Sequence, residues 1–180
     1  MIRAIRATLG VVFLTILAAC GGSDSASTGP AAPRFLSYDG PKVTQIVVNK
    51  SDRMMFLLND RTVLKAYKIG LGNEPIGAKQ FEGDGKTPEG IFFVDRYNPR
   101  SQYHLSVGIN YPRPEDEARA MAAGRKPGGD IFFHGRGPDG WKALREGKED
   151  WTAGCIAVED SDIEEIYAMV QKGTQVVINP

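Results

Sequence analysis

Two short segments hold the residues best suited to covalent chemistry. Asp130-Ile131-Phe132-Phe133-His134-Gly135 ends an apolar run on an imidazole, and the glycine after it lets backbone or substrate come close. Trp151-Thr152-Ala153-Gly154-Cys155-Ile156-Ala157-Val158 sets a thiol directly after a glycine, at the start of another apolar run. A thiolate attacks an amide far better than a thiol does. A nearby imidazolium lowers the thiol pKa, and a neutral imidazole can take the proton and later return it to a leaving amine. Backbone N–H groups of Gly154 and Cys155 could hold the developing oxyanion. Spacing alone does not make the two segments neighbours. A buried structural cysteine and a packed histidine would fit the same residues.

Other motifs carry less. Gly85-Lys86-Thr87 has the look of a phosphate loop, but Gln80 stands where that pattern needs glycine and Pro88 blocks the helix that must follow. Gly135-x-Gly137 is too short for a dinucleotide fingerprint. No nucleotide or other cofactor is expected. His104, His134 and Cys155 lack the close spacing of metal ligands, so no metal is expected, and His104 reads as a packed strand residue bonded to backbone. Arg136, just after the histidine, could meet a substrate carboxylate. Trp151 and Trp141 could wall a cleft or fill core volume. Segments 124–129 and 139–150 could cover the cleft as a lid.

The elements that must position these residues follow from pattern. Val43 to Asn49, Met54 to Leu58, Thr62 to Leu71, Ile91 to Asp95, His104 to Ile109, Asp130 to His134, Cys155 to Val158 and Gln175 to Ile178 read as strands, with a turn at Asn59-Asp60. Gly72 to Gly90 reads as a long ordered loop. Three helices are predicted. One starts at Pro114 and stops at Gly124; one spans Asp139 to Gly147. The third opens on a Ser161/Glu164 capping box, with Ile163, Ile166, Tyr167 and Val170 on one face and Gly173 as its stop. Strands with a few helices predict a mainly β domain, a sandwich or a small barrel.

The 180 residues leave room for one such domain plus appendages. Lys plus Arg (22) balances Asp plus Glu (22), which argues against a basic nucleic-acid binder. At the N-terminus, Arg3 and Arg6 precede the apolar run Leu9 to Leu17, and Leu17-Ala18-Ala19 lead into Cys20. Residues 1–19 thus read as a signal peptide, too short in its apolar part to span a bilayer. Leu17-Ala18-Ala19-Cys20 resembles a bacterial lipobox, which implies lipid on Cys20 and a protein anchored to the membrane. Residues 20–33, rich in Gly, Ser, Ala and Pro, read as the lipidated cysteine and its flexible tether, with the domain proper at 34–180. Gly21 after the cysteine favours the outer membrane over the inner. With Cys20 acylated, Cys155 is the one other cysteine of an exported chain, where structural cysteines usually pair.

His134, a spacer of seventeen residues, and then Thr152-Ala153-Gly154-Cys155-Ile156 resemble the signature of the L,D-transpeptidase catalytic domain (YkuD) family, nearest its YafK/ErfK-like branch. Lys79 to Gly90, with Thr87-Pro88-Glu89-Gly90, is similar to that family's Thr-Pro-x-Gly stretch. The resemblance spans Val43 to Pro180. It implies a β-sandwich of mixed sheets with a few capping helices, Cys155 as nucleophile, His134 as general base and acid, and the Gly135 carbonyl orienting the imidazole. From their positions beside the pair, Gly154 is read as a backbone contributor at the oxyanion, and Thr152, Arg136 and Trp151 as candidate substrate contacts. The implied substrate is a peptidoglycan stem peptide, cut before its terminal D-alanine through a Cys155 thioester on the periplasmic side of the envelope. An amine acceptor gives transpeptidation; water gives carboxypeptidase or amidase action. Two departures, Ala153 where the family has histidine and Ala157 where it has Asn or Arg, also admit a silent wall-binding lipoprotein.

Overall fold

The computed structural model describes residues 36–180, so the signal peptide, Cys20 and the tether lie outside the described residues. Within them strands form where apolar and β-branched residues cluster, and in several strands buried residues alternate with partly exposed ones. β1 (Gln45–Asn49), β2 (Met54–Asn59) and β3 (Thr62–Lys68) form an antiparallel meander. Ile46 and Val48, Met55 and Leu57 point inward and are fully buried, as the period of two requires. β4 (Gly90–Asn98) is long because it serves two sheets. Its first half pairs with β8 (Gln175–Asn179), which lies parallel to β1. Its second half, past a bulge between Val94 and Arg96, pairs with β5 (Ser106–Ile109). β5 then pairs antiparallel with β6 (Phe132–His134), and β6 parallel with β7 (Ile156–Ala157). The order is β3-β2-β1-β8-β4-β5-β6-β7.

The array curls until its ends meet. Beyond β3 the chain leaves β2, and Gly70 exchanges both backbone hydrogen bonds with Ala157, at 2.8 and 2.9 Å. The expected strand Thr62 to Leu71 therefore divides its length between two partners. Phe92, Val94, Phe133, Ile156, Val176 and Ile178 fill the interior. Burying each such side chain is worth about 1.5–3 kcal/mol. The mainly β class with mixed sheets and three helices is as expected.

The helices are α1 (Pro114–Ala122), α2 (Gly137–Arg145) and α3 (Asp160–Met169). α3 packs its Ile163, Ile166 and Met169 into the core beside β5 and β6. Its start corrects the sequence reading. The N-cap is Glu159, so Ser161 lies inside the first turn and forms no capping box. Glu164 is engaged elsewhere: its carboxylate accepts from His104 Nε2 at 2.8 Å. His104 is likewise corrected. It lies ahead of β5 at φ +74°, and its partner is this carboxylate rather than backbone. At α1 the reach-back comes from Asp116, whose Oδ2 accepts from Arg113 N at 3.1 Å while Asp116 N donates to Arg113 O at 2.9 Å.

Candidate active site

His134 is the last residue of β6, where the strand runs out and the chain turns into α2. It is 3% exposed. Nδ1 lies 2.6 Å from its neighbour's carbonyl, Gly135 O. A carbonyl only accepts, so Nδ1 carries the proton and Nε2 keeps the lone pair. The ring is held between aromatics. Tyr103 stacks on it with centroids 4.5 Å apart and planes 26° from parallel, and Trp151 meets it edge-on at 5.6 Å. Burial pulls the imidazole below its ordinary pKa, opposed by the Gly135 carbonyl and by the negative charge of Asp160. Burial thus holds His134 toward its neutral form.

Cys155 precedes β7. The parallel register pairs Phe133 with Ile156 and His134 with Ala157, so one step back Cys155 continues opposite Phe132. Side chains alternate along a strand, so Cys155 and His134 share one face, diagonally placed, while Phe133 and Ile156 point into the core. The thiol is half-buried and donates to Asp130 O at 3.2 Å. Burial pushes its pKa up, only partly opposed by a backbone hydrogen bond from Phe132. Asp130 presents that carbonyl from the left-handed region, at φ +55°.

The turn beneath the thiol is fixed from two sides. Thr152 Oγ1 donates to Cys155 O at 2.7 Å and accepts from Gly154 N at 3.1 Å. Gly154 itself sits at φ +133°, and a Cβ there would stand 2.6 Å from Lys86 O. Only glycine lets the turn before Cys155 rest on the long loop. That loop, 72–89, is ordered by buried charge. Lys50 Nζ donates to Gly77 O, Thr87 O and Glu89 Oε1. Asp84 accepts from Lys79 Nζ and from the N–H groups of Gln80, Phe81 and Lys86. Burial alone would raise the Asp84 pKa, but these donors outweigh it and hold it down at about 2. Thr87 Oγ1, fully buried, accepts from Gly72 N.

Two clefts open on the pair. One, of about 610 Å³, runs between Trp151, Asn73 and the α2 side chains Asp139 and Lys142. The other, of about 530 Å³, runs along Asn98, Arg100 and Ser101. Tyr103, His134 and Cys155 line both.

The remaining expected site residues fall on both sides of this boundary. Trp151 stands beside His134 in the first cleft, although its buried indole N–H meets no acceptor among the described residues, which nothing in the structure explains. Thr152 and Gly154 direct their polar groups into the turn. In this arrangement the Gly154 N–H belongs to Thr152 rather than to an oxyanion. Arg136 is turned away from both clefts and paired with Glu159 at 2.6 Å. Trp141 bonds Asp160 Oδ2 at 3.3 Å on the far side of α2. The 139–150 segment, largely helical, forms one cleft wall. The 124–129 loop packs instead on residues 79–84, with Glu82 N bonded to Lys126 O and Arg125 over the Phe81 ring. Among the described residues no three His, Cys, Asp or Glu side chains converge as a metal site. Tyr103, Asp130 and Asp160 escape sequence reasoning, because their contacts join segments that no local pattern links.

The described residues thus form a mainly β domain that sets a thiol and an imidazole on one face of paired parallel strands. The profile of the L,D-transpeptidase catalytic domain family (YkuD) matches residues 43–178, and the chain belongs to that family. Among individual proteins, the chain is 27% identical over 169 residues to "Putative L,D-transpeptidase YafK" of Escherichia coli (strain K12), covering 87% of this chain and 61% of that one. Of solved structures, the helical cell shape determining protein Pgp2 from Campylobacter jejuni aligns with a TM-score of 0.56 and 27% identity, over 79% of this chain and 49% of Pgp2. An L,D-transpeptidase from Mycobacterium smegmatis shares the fold at a TM-score of 0.51 and 16% identity, over 78% of this chain and 60% of that one. The chain thus spans about half to three fifths of the length of these relatives.

Proposed function

We propose that this protein is a cysteine acyltransferase acting on peptidoglycan stem peptides, with Cys155 as nucleophile and His134 as general base and acid. The observation that carries this reading is the meeting of two clefts at one thiol and one imidazole. Acyl transfer between two peptides needs an acyl donor and an amine acceptor at the same sulfur, reached from different sides. Membership of the L,D-transpeptidase catalytic domain family supports the substrate class.

In the reaction, His134 Nε2 takes the Sγ proton as the sulfur attacks the carbonyl carbon before the terminal D-alanine. The C–N bond breaks, Nε2 returns the proton to the leaving amine, and a thioester remains on Cys155. The acceptor amine then gives a proton to Nε2 and attacks the thioester carbonyl. The C–S bond breaks, and the sulfur regains the proton. Gly135 O keeps the imidazole in the tautomer this sequence needs. Water in place of the amine gives a tripeptide, the hydrolytic alternative.

Intact-mass spectrometry after exposure to a carbapenem tests the nucleophile. A covalent adduct is expected, absent in Cys155→Ala; a folded protein that takes no adduct overturns the reading. Incubation with tetrapeptide muropeptides then separates outcomes, dimers marking transfer and tripeptide monomers hydrolysis. The proposal places the enzyme on the periplasmic face of the envelope, anchored through a lipid on Cys20. Mass analysis of the mature N-terminal peptide tests that anchor, and an unmodified Cys20 excludes it.

A further inference from the structure

We infer that Asp160 is a positioning residue for His134, acting through the peptide unit that joins Gly135 to Arg136. The carbonyl of that unit is the acceptor for His134 Nδ1–H, at 2.6 Å. Its N–H, on Arg136, donates to Asp160 Oδ1 at 2.8 Å. A carboxylate on one end of a peptide group polarises the other end, so the Gly135 oxygen becomes a stronger acceptor and better stabilises the imidazolium formed during proton transfer. In a Ser-His-Asp triad the carboxylate bonds the imidazole directly. Here one peptide unit stands between them.

Two further observations support the arrangement. A side chain at position 135 would collide with Asp160 Oδ1, so glycine at that position is what lets the carboxylate reach the N–H. This gives the glycine at 135 a steric role in addition to that of its carbonyl. Second, Asp160 is fixed at both oxygens. Gly137 N also donates to Oδ1 at 3.4 Å, and Trp141 Nε1 to Oδ2 at 3.3 Å. The negative charge of Asp160 also acts on the imidazole through space, opposing the effect of burial. A carboxylate in the first turn of α3 would favour the helix in any case, so the test must separate the two roles.

The inference rests on the reading of His134 as the base, and the experiment keeps the two apart. Asp160→Asn retains an oxygen acceptor and removes the charge. Its carbapenem acylation rate is measured against pH, and the His134 ring is titrated by NMR with His104 as internal reference. Around the imidazole, Asp139, Lys142 and Asp150 from one cleft and Asp130 and Arg100 from the other stay unchanged. So do the Arg136–Glu159 and His104–Glu164 pairs beside Asp160. The expected result is a His134 titration moved to lower pH, and acylation slowed about three- to tenfold near neutrality. Identical titration curves for Asp160→Asn and wild type overturn the inference, as does a uniform loss of rate at every pH that tracks a fall in Tm. If the wild type takes no adduct at all, the reading of Cys155 fails instead, and the His134 titration still decides the role of Asp160.

Discussion

The two halves of the site are built by opposite means. His134 ends a strand, almost wholly covered by Tyr103 and Trp151, with one ring nitrogen tied to backbone. Cys155 rides on a turn whose support is a loop without regular structure, ordered by Lys50, Lys79 and Asp84. Burial lowers the imidazole pKa and raises that of the thiol. Both shifts favour the neutral pair over the thiolate–imidazolium pair before substrate arrives. The free protein thus keeps its sulfur protonated and bonded to Asp130 O, and attack must be coupled to proton transfer when substrate displaces that contact.

The contrast can be broken most severely on the histidine side. His134→Ala removes the proposed base and should slow carbapenem acylation about 100-fold or more, as read by time-resolved intact mass, and should also lower Tm because the ring is buried between Tyr103 and Trp151. On the cysteine side, Gly154→Ala must either leave φ +133° or displace Lys86 O. A loss of about 2–4 kcal/mol in denaturant unfolding is expected, and acylation should fall with it. An unchanged midpoint would mean the turn does not depend on that contact. Thr152→Val keeps the shape but removes both hydroxyl bonds. About 1–2 kcal/mol of stability and a severalfold slower acylation should go with them.

The buried loop adds a pH signature. The Asp84 pKa is depressed in the folded chain, so the stability it contributes is complete above the unfolded carboxylate value near 3.8 and is lost as pH falls towards about 2. Thermal melts from pH 5 down to pH 2 should show that decline, and Asp84→Asn should flatten it while lowering Tm at neutral pH. The smallest effect is expected at Arg136. Its half-buried pair with Glu159 lies outside both clefts, and Arg136→Ala should leave acylation within about twofold of wild type.

Much of this was open to reading without coordinates. Inward Ile46, Val48, Met55 and Leu57 follow from alternation, and the helix around Ile163 and Ile166 from its own period. The proposed nucleophile and base stood out because the chain of 180 residues offers few cysteines and histidines, one thiol following a glycine and one imidazole ending a strand. What escaped depended on distant partners. Glu164 looked like the second half of a capping box because its actual partner, His104, is 60 residues away. Arg136 looked like a free cation beside the base because Glu159 is 23 residues further on. Tyr103 carried no local mark at all, yet it stacks on the imidazole.

The bond pair between Gly70 and Ala157 reaches further than its size suggests. Two residues make a poor strand alone, but β7 has His134 backbone on one flank, through Val158 N, and Gly70 on the other. The sulfur is therefore mounted at a weld where the first and last members of the array are stitched together. Slack introduced in the outer hairpin, remote from either cleft, would be transmitted to the reacting atom.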